Sequence, residues 1–135
     1  MTGCAGFIGG HALETFLKKG CKVVGIDKMT YAANSSALKP HKNFKFYQAD
    51  ICQTSAIKKI AKKNDIDCII HFAAESHVDN SILGDNCFID SNITGTKSLM
   101  EVCKDLKIPI CHISTDEVYG PIANGSFSEE DKLSP

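Results

Sequence analysis

Apolar positions recur along this chain with two different periods, and the alternation between them predicts the architecture. From Phe7 to Lys19, Phe7, Leu13, Phe16 and Leu17 fall at broadly helical spacing, and Gly20 follows as a C-terminal stop. Lys22 to Ile26 is a short apolar strand ending at Asp27, and Phe44 to Ala49 is a second with Asp50 at its end. Ser55 to Asn64 reads as an amphipathic helix. Cys68 to Phe72 is apolar without alternation, the pattern of a strand buried on both faces. A long helical stretch is predicted from Asn86 to Leu106. Pro109 separates it from Ile110 to Ser114, predicted as another buried strand. The polar tail after Gly120, with Pro121, Asn124, Gly125 and Pro135, predicts loop.

Strands alternating with helices imply an α/β fold with a parallel sheet and right-handed crossovers. The expected form is a Rossmann-like doubly wound sheet in three α/β/α layers, forming one partial domain over residues 1–135. Ligands of such sheets bind beyond the carboxyl ends of the strands. Asp27, Asp50, the run Ala73-Ala74-Glu75-Ser76 and the run Ser114-Thr115-Asp116-Glu117 all fall at those ends.

Composition narrows the partners. Of the 135 residues, 43% are hydrophobic and 23% charged, enough for one ordinary core. A formal net charge of -1 gives no reason to expect a nucleic-acid or membrane partner. Lys58, Lys59, Lys62 and Lys63 read as the wet face of a helix. The 7 cysteines include no CxxC pair and are expected as reduced thiols in a cytoplasmic protein. With the 5 histidines they show no metal-ligand spacing, so no metal is expected. No signal peptide or membrane-length apolar run is visible.

The chemistry begins at Thr2-Gly3-Cys4-Ala5-Gly6-Phe7-Ile8-Gly9. Glycines at every third position, opening a helix, let a diphosphate approach backbone amides at the positive helix end. Asp27 lies about twenty residues further on, at the end of the next strand, as the dinucleotide fingerprint requires. A carboxylate there accepts hydrogen bonds from ribose hydroxyls and repels a 2′-phosphate, which predicts NAD rather than NADP; the neighbouring Lys28 is the one dissonant charge. Only Met1 and Thr2 precede the first glycine, so the strand that should lead into it is expected to be missing and the chain cut short at both ends. A second candidate is the carboxylate pair Asp116 and Glu117. Adjacent carboxylates in a partly dry pocket would supply one acid and one base, the pairing that elimination of water from carbon needs.

These motifs, together with Asp27-Lys28-Met29-Thr30-Tyr31-Ala32, His71-Phe72-Ala73-Ala74-Glu75-Ser76-His77-Val78-Asp79 and Ser114-Thr115-Asp116-Glu117-Val118-Tyr119-Gly120, resemble the dTDP-glucose 4,6-dehydratases of the extended short-chain dehydrogenase/reductase superfamily. The resemblance implies an enzyme that eliminates water from a nucleotide sugar, dTDP-glucose, using bound NAD, to give a 4-keto-6-deoxy sugar. It implies that Gly3, Gly6, Phe7, Ile8 and Gly9 meet the pyrophosphate and that Asp27, Lys28, Met29 and Thr30 hold the adenosine ribose. Asp50 and Ile51 would recognise adenine. Phe72, Ala73, Ala74, Ser76 and Ser91 would line the rest of the cofactor path, with Ser76 also touching the sugar. Thr115 would orient the glucose 4-hydroxyl, Asp116 protonate the leaving C6 hydroxyl, and Glu117 remove the C5 proton. The full-length protein would be a possible homodimer.

Two departures stand against the pattern. The family's oxidation base is a tyrosine followed by a lysine four residues on. Here Tyr31 is followed at that distance by Ser35, Tyr47 by Ile51 and Tyr119 by Ala123, so the isolated chain is expected to be inactive. Asn80 stands where an arginine is common. Other residues take plain readings: His71 and His112 as core histidines, His77 as a packing residue, and Cys4 as a small filler. Two further readings stay open, a related nucleotide-sugar epimerase or decarboxylase and a non-catalytic NAD-binding fragment.

Overall fold

The computed structural model describes residues 1–77 and 86–135. Val78, Asp79 and Asn80, named above for the resemblance, lie outside the described residues. Among the described residues, three α-helices, α1 (Phe7–Lys18), α2 (Thr54–Lys63) and α3 (Thr96–Leu106), alternate with four strands, β1 (Val23–Asp27), β2 (Phe44–Gln48), β3 (Ile69–His71) and β4 (Ile110–His112). β1 pairs in parallel with β2, and β3 in parallel with β4.

What joins the two pairs is the very start of the chain. Thr2 forms parallel bridges to both Ile26 and His71. The Thr2 amide donates to the Ile70 carbonyl at 3.0 Å, and the Phe72 amide donates back to the Thr2 carbonyl at 3.2 Å. On the other side the Ile26 amide donates to Met1 and the Gly3 amide to Ile26, both at 2.9 Å. The Met1 amino group reaches the Val24 carbonyl at 2.8 Å. The order is therefore β2, β1, Met1–Gly3, β3, β4. As expected, no strand is formed ahead of the first glycine; Thr2 makes only isolated bridges, and at its level the backbone groups facing the centre are paired, which spares the cost of burying them unsatisfied.

Alternation along the strands sorts the side chains into two layers. Val23 and Phe44 pack with Cys4, Leu13 and Phe16 on the α1 side. Ile26 and Ile69 pack with Ile57 and Ala61 of α2 and Leu99, Val102 and Cys103 of α3 on the other. The i, i+4 spacing of Ile57 and Ala61 and the i, i+3, i+4 spacing of Leu99, Val102 and Cys103 turn one stripe of each helix inward. The result is the doubly wound α/β/α arrangement. Lys59, Lys62 and Lys63 form the exposed face of α2, while Lys58 is paired with Asp105 of α3.

Helix ends follow the local chemistry. Gly20, at φ +83°, takes the left-handed position after α1; its amide donates to Leu17 and that of Cys21 to Phe16, the paired hydrogen bonds of a Schellman stop. Three expectations change. β4 is not buried: Cys111 and His112 are exposed, because no described helix covers that part of the sheet. Cys68, expected inside a buried strand, is exposed as well. The helical stretch before α3 is a π-helix over Ile89–Gly95 rather than an α-helix. Cys4, Cys21, Cys52, Cys68, Cys103 and Cys111 carry free thiols. Among the described residues no group of three or more His, Cys, Asp or Glu could hold a metal, and no helix is long and apolar enough to cross a membrane.

Candidate functional site

A cleft opens at the carboxyl ends of β1, β2 and β3. Gly3, Gly6, Asp27, Lys28, Thr30, Asp50, Ile51, Phe72, Ala73, Ala74 and Ser91 line it, as do Ile26, Ala32, Ala33, Ala49 and Glu75. Eleven of the sequence-predicted cofactor residues thus meet in one place. Phe7, Ile8, Gly9, Met29 and Ser76 lie outside this lining.

The glycine loop owes its shape to close approaches that leave no room for a side chain. Gly3 sits at φ +67°, and a Cβ there would lie 2.6 Å from the Ala73 amide nitrogen. A Cβ on Gly9 would lie 2.0 Å from the Gly3 carbonyl oxygen, so the first turn of α1 folds directly onto the loop. The Ala5 amide donates to Asp27 Oδ2 at 2.9 Å, and the Asn34 amide donates to the Ala5 carbonyl at 2.7 Å. Ala5 is therefore a structural staple. The amides left for an anion are those that open α1, where Gly6 is the N-cap with no side-chain cap and no acidic residue follows in the first turn. Phe7 and Ile8 supply these amides while their side chains stand 81% and 64% exposed.

Asp27 is anchored rather than free. Besides Ala5, the Met29 amide donates to its Oδ1 at 2.8 Å, and Met29 adopts φ 62° to make that turn. The carboxylate is thereby aimed, with lone pairs remaining for hydroxyl donors. Lys28 pairs with Asp50 at 2.8 Å. The hydrogen bond to Asp50 raises the Lys28 pKa; burial by itself would raise that of Asp50, but the bonds from Lys28 and from the Cys52 amide outweigh it and hold Asp50 low.

The far wall rests on a histidine. His71 is 1% exposed, with Nδ1 2.7 Å from Thr2 Oγ1 and Nε2 3.0 Å from Thr96 Oγ1. Burial, and then the adjacent His112 ring, pushes it down to about 4. A neutral ring has one donor and one acceptor nitrogen, so it ties the central strand to α3 through two hydroxyls. The core reading of His71 holds. That of His112 is corrected: it is exposed and stacks on His71 at 4.9 Å.

Three groups escaped sequence reasoning. Asn92 accepts from the Glu75 amide at 2.8 Å and donates to the Glu75 carbonyl at 2.9 Å, fixing the loop after β3. Tyr31 donates to Glu75 Oε2 at 3.0 Å and its ring faces His77 at 5.9 Å, so the loops after β1 and β3 are clasped. Gly95 is packed so closely that a Cβ would lie 2.5 Å from Ile51 Cδ1. A π-helical turn holds more residues than an α-helical one, which lets Ser91 line the cleft while Asn92 holds the loop. Periodicity at 3.6 gives no warning of this.

The acidic pair stands after β4. Thr115 caps the 3₁₀ turn Asp116–Tyr119, its hydroxyl accepting from the Glu117 amide at 3.3 Å and donating to Asp116 Oδ1 at 3.1 Å. All three residues are exposed, and none lines the cleft. The partly dry pocket expected for Asp116 and Glu117 is not formed by the described residues.

A glycine loop, an anchored Asp27 and a Thr-Asp-Glu run share one edge of the sheet. A profile of the GDP-mannose 4,6 dehydratase family matches residues 1–135. The chain belongs to this family. It is 37% identical, over its full length, to a probable dTDP-glucose 4,6-dehydratase of Sinorhizobium fredii, and covers 43% of that protein. The dTDP-glucose 4,6-dehydratase of Streptomyces venezuelae, solved with NAD bound, superposes with a TM-score of 0.91 at 38% identity, over 99% of this chain and 44% of that one. A UDP-glucose 4-epimerase of Stenotrophomonas maltophila, also with NAD, gives 0.89 at 27%, over 98% and 41%. The chain thus spans less than half the length of the relatives it matches.

Proposed function

We propose that this chain is the dinucleotide-binding portion of a dTDP-glucose 4,6-dehydratase that uses NAD. The observation that carries the cofactor reading is the geometry around Asp27. Two backbone amides hold its carboxylate at a cleft that is also lined by Gly3 and Gly6 of the loop leading to the uncapped start of α1. That set fits a dinucleotide: amides at Phe7 and Ile8 for the diphosphate, Asp27 for the ribose hydroxyls, and Asp50 and Ile51 beside the adenine. Gly9 supports the loop, Met29 completes the ribose turn, and Ser76 extends the path towards the sugar.

NAD, when bound, supplies the hydride acceptor that makes C4 of the sugar a ketone and later returns the hydride to C6. The chain's own groups handle the protons of the elimination. The 4-hydroxyl proton goes to the family's tyrosine base, whose Tyr-x-x-x-Lys form none of these 135 residues provides. Thr115 orients the 4-hydroxyl. A 4-ketone acidifies the C5 proton, which Glu117 removes as its C–H bond breaks. The C5–C6 double bond forms as the C6–O bond breaks, and Asp116 gives its proton to the departing hydroxyl, releasing water. Glu117 returns its proton to C5 as the hydride reaches C6. Asp116 and Glu117 are consecutive residues of the short 3₁₀ turn, and on this reading substrate together with the remainder of the protein must exclude water around them.

The dehydratase reading is favoured over the epimerase by the Asp116-Glu117 pair after Thr115, since epimerisation removes no water. The free thiols of Cys4, Cys21, Cys52, Cys68, Cys103 and Cys111 suit the cytoplasm, and a homodimer follows by analogy alone. In the intact protein, Asp116→Asn and Glu117→Gln should each lower dTDP-glucose turnover by about 100-fold or more while NAD stays bound. Turnover that survives both changes would sink the dehydratase reading; failure of the parent protein to bind NAD by calorimetry would sink the cofactor reading.

A further inference from the structure

We propose that Asp50 determines which dinucleotide the cleft accepts, by engaging the Lys28 ammonium that would otherwise answer a 2′-phosphate. The inference rests on the dinucleotide reading above and deepens it. Lys28 directly follows the ribose carboxylate Asp27 and lines the same cleft. A free lysine beside the ribose is the cation a 2′-phosphate calls for, and by itself it would erode the discrimination that Asp27 provides. Here the ammonium is committed elsewhere. Its Nζ lies 2.8 Å from Asp50 Oδ2, at the end of the neighbouring strand β2. Asp50 is in turn held by the Cys52 amide, which donates to its other oxygen at 2.9 Å. The Asp90 carboxylate adds a through-space pull on the same cation.

The pair is unequal in exposure, the Lys28 side chain at 55% and the Asp50 side chain at 22%. Such a bond adds little to stability. Its effect is on where the positive charge sits. With Asp50 charged, Lys28 is spent and the ribose edge shows the net negative charge of Asp27. Without it, Lys28 becomes available one residue from the ribose position.

The test compares dissociation constants for NAD and NADP by calorimetry in the intact protein, for the parent, Asp50→Asn, Lys28→Met and the double variant. Asparagine keeps the oxygen that accepts from Cys52, so the turn survives. Adenine is common to both ligands, so a weaker hold on that ring scales both constants alike and leaves their ratio untouched. Asp50→Asn should move the ratio towards NADP by about fivefold, the size of one partly exposed charge interaction. The double variant should return it to the parent value. An unchanged ratio in Asp50→Asn, or a gain that persists without Lys28, overturns the proposal while leaving NAD binding intact. A parent protein that binds neither dinucleotide overturns the cofactor reading itself and this inference with it.

Discussion

At the scale of single residues, burial decides which polar groups are structural. His71 sits between two threonine hydroxyls and is pushed down to about 4 by its burial. The unfolded chain, with an ordinary value of 6.5, takes up that proton first. Stability from this residue is therefore complete above pH 6.5 and declines as the pH falls from there towards about 4, by at most about 3 kcal/mol. Urea unfolding at pH 7 and pH 5 should show the loss, with a shallower dependence in His71→Gln. Cysteines divide the same way. Burial, then the charge of Asp27, pushes the Cys4 thiol up to about 12, while Cys21, Cys68 and Cys111 are exposed. Iodoacetamide on the native protein at pH 8 should label those three and spare Cys4, read by peptide mass spectrometry. Prompt labelling of Cys4 would mean the phosphate loop opens readily.

Elements set the site by close approach. The loop between Met1–Gly3 and α1 holds its shape because Gly3 and Gly9 bring backbone against backbone. Gly9→Ala would thrust a methyl to 2.0 Å from the Gly3 carbonyl, which no rotamer can relieve. We expect a loss of about 3 kcal/mol or more in thermal or urea unfolding, together with loss of dinucleotide binding. Gly20→Ala, with nothing near its Cβ direction but a positive φ, should cost only about 1 kcal/mol and leave binding unchanged. The clasp between Tyr31 and Glu75 is a weaker device. Tyr31→Phe removes its 3.0 Å bond and should speed amide exchange in the loop after β1 without lowering the melting temperature by more than a few degrees. Protection unchanged in Tyr31→Phe would show that the stacking on His77 and the Asn92 bonds suffice.

For the whole molecule, the two apolar layers meet through the start of the chain. Thr2 joins β1 to β3, and the α2–α3 layer covers the joint. Leu99, fully buried in that layer, is a sensitive reporter: Leu99→Ala should destabilise by about 3 kcal/mol in urea. The chemistry is less complete than the fold. None of the tyrosines in the 135 residues has a lysine four positions on, so this chain mixed with dTDP-glucose and NAD should yield no 4-keto product by absorbance or mass spectrometry. Any such product would mean that another group takes the proton from the sugar hydroxyl.

The alternation of helix and strand, the end of β1 at Asp27 and the glycine spacing were legible in the residues, because each depends on neighbours within a few positions. The same holds for the helix stop at Gly20. Local rules carried the dinucleotide fingerprint as well, since a turn, a helix start and the end of the next strand are all short-range features. Long-range pairing decided the rest. Only the folded chain pairs Thr2 with two strands, binds Lys28 to Asp50, and leaves β4 uncovered with His112 at the surface. The π-turn over Ile89–Gly95 lets Gly95 pack against Ile51, which lies far from it in sequence. Periodicity reports which face a residue shows, whereas its partner across the sheet is selected by packing and hydrogen bonding between distant segments, and that selection exists only once they have met.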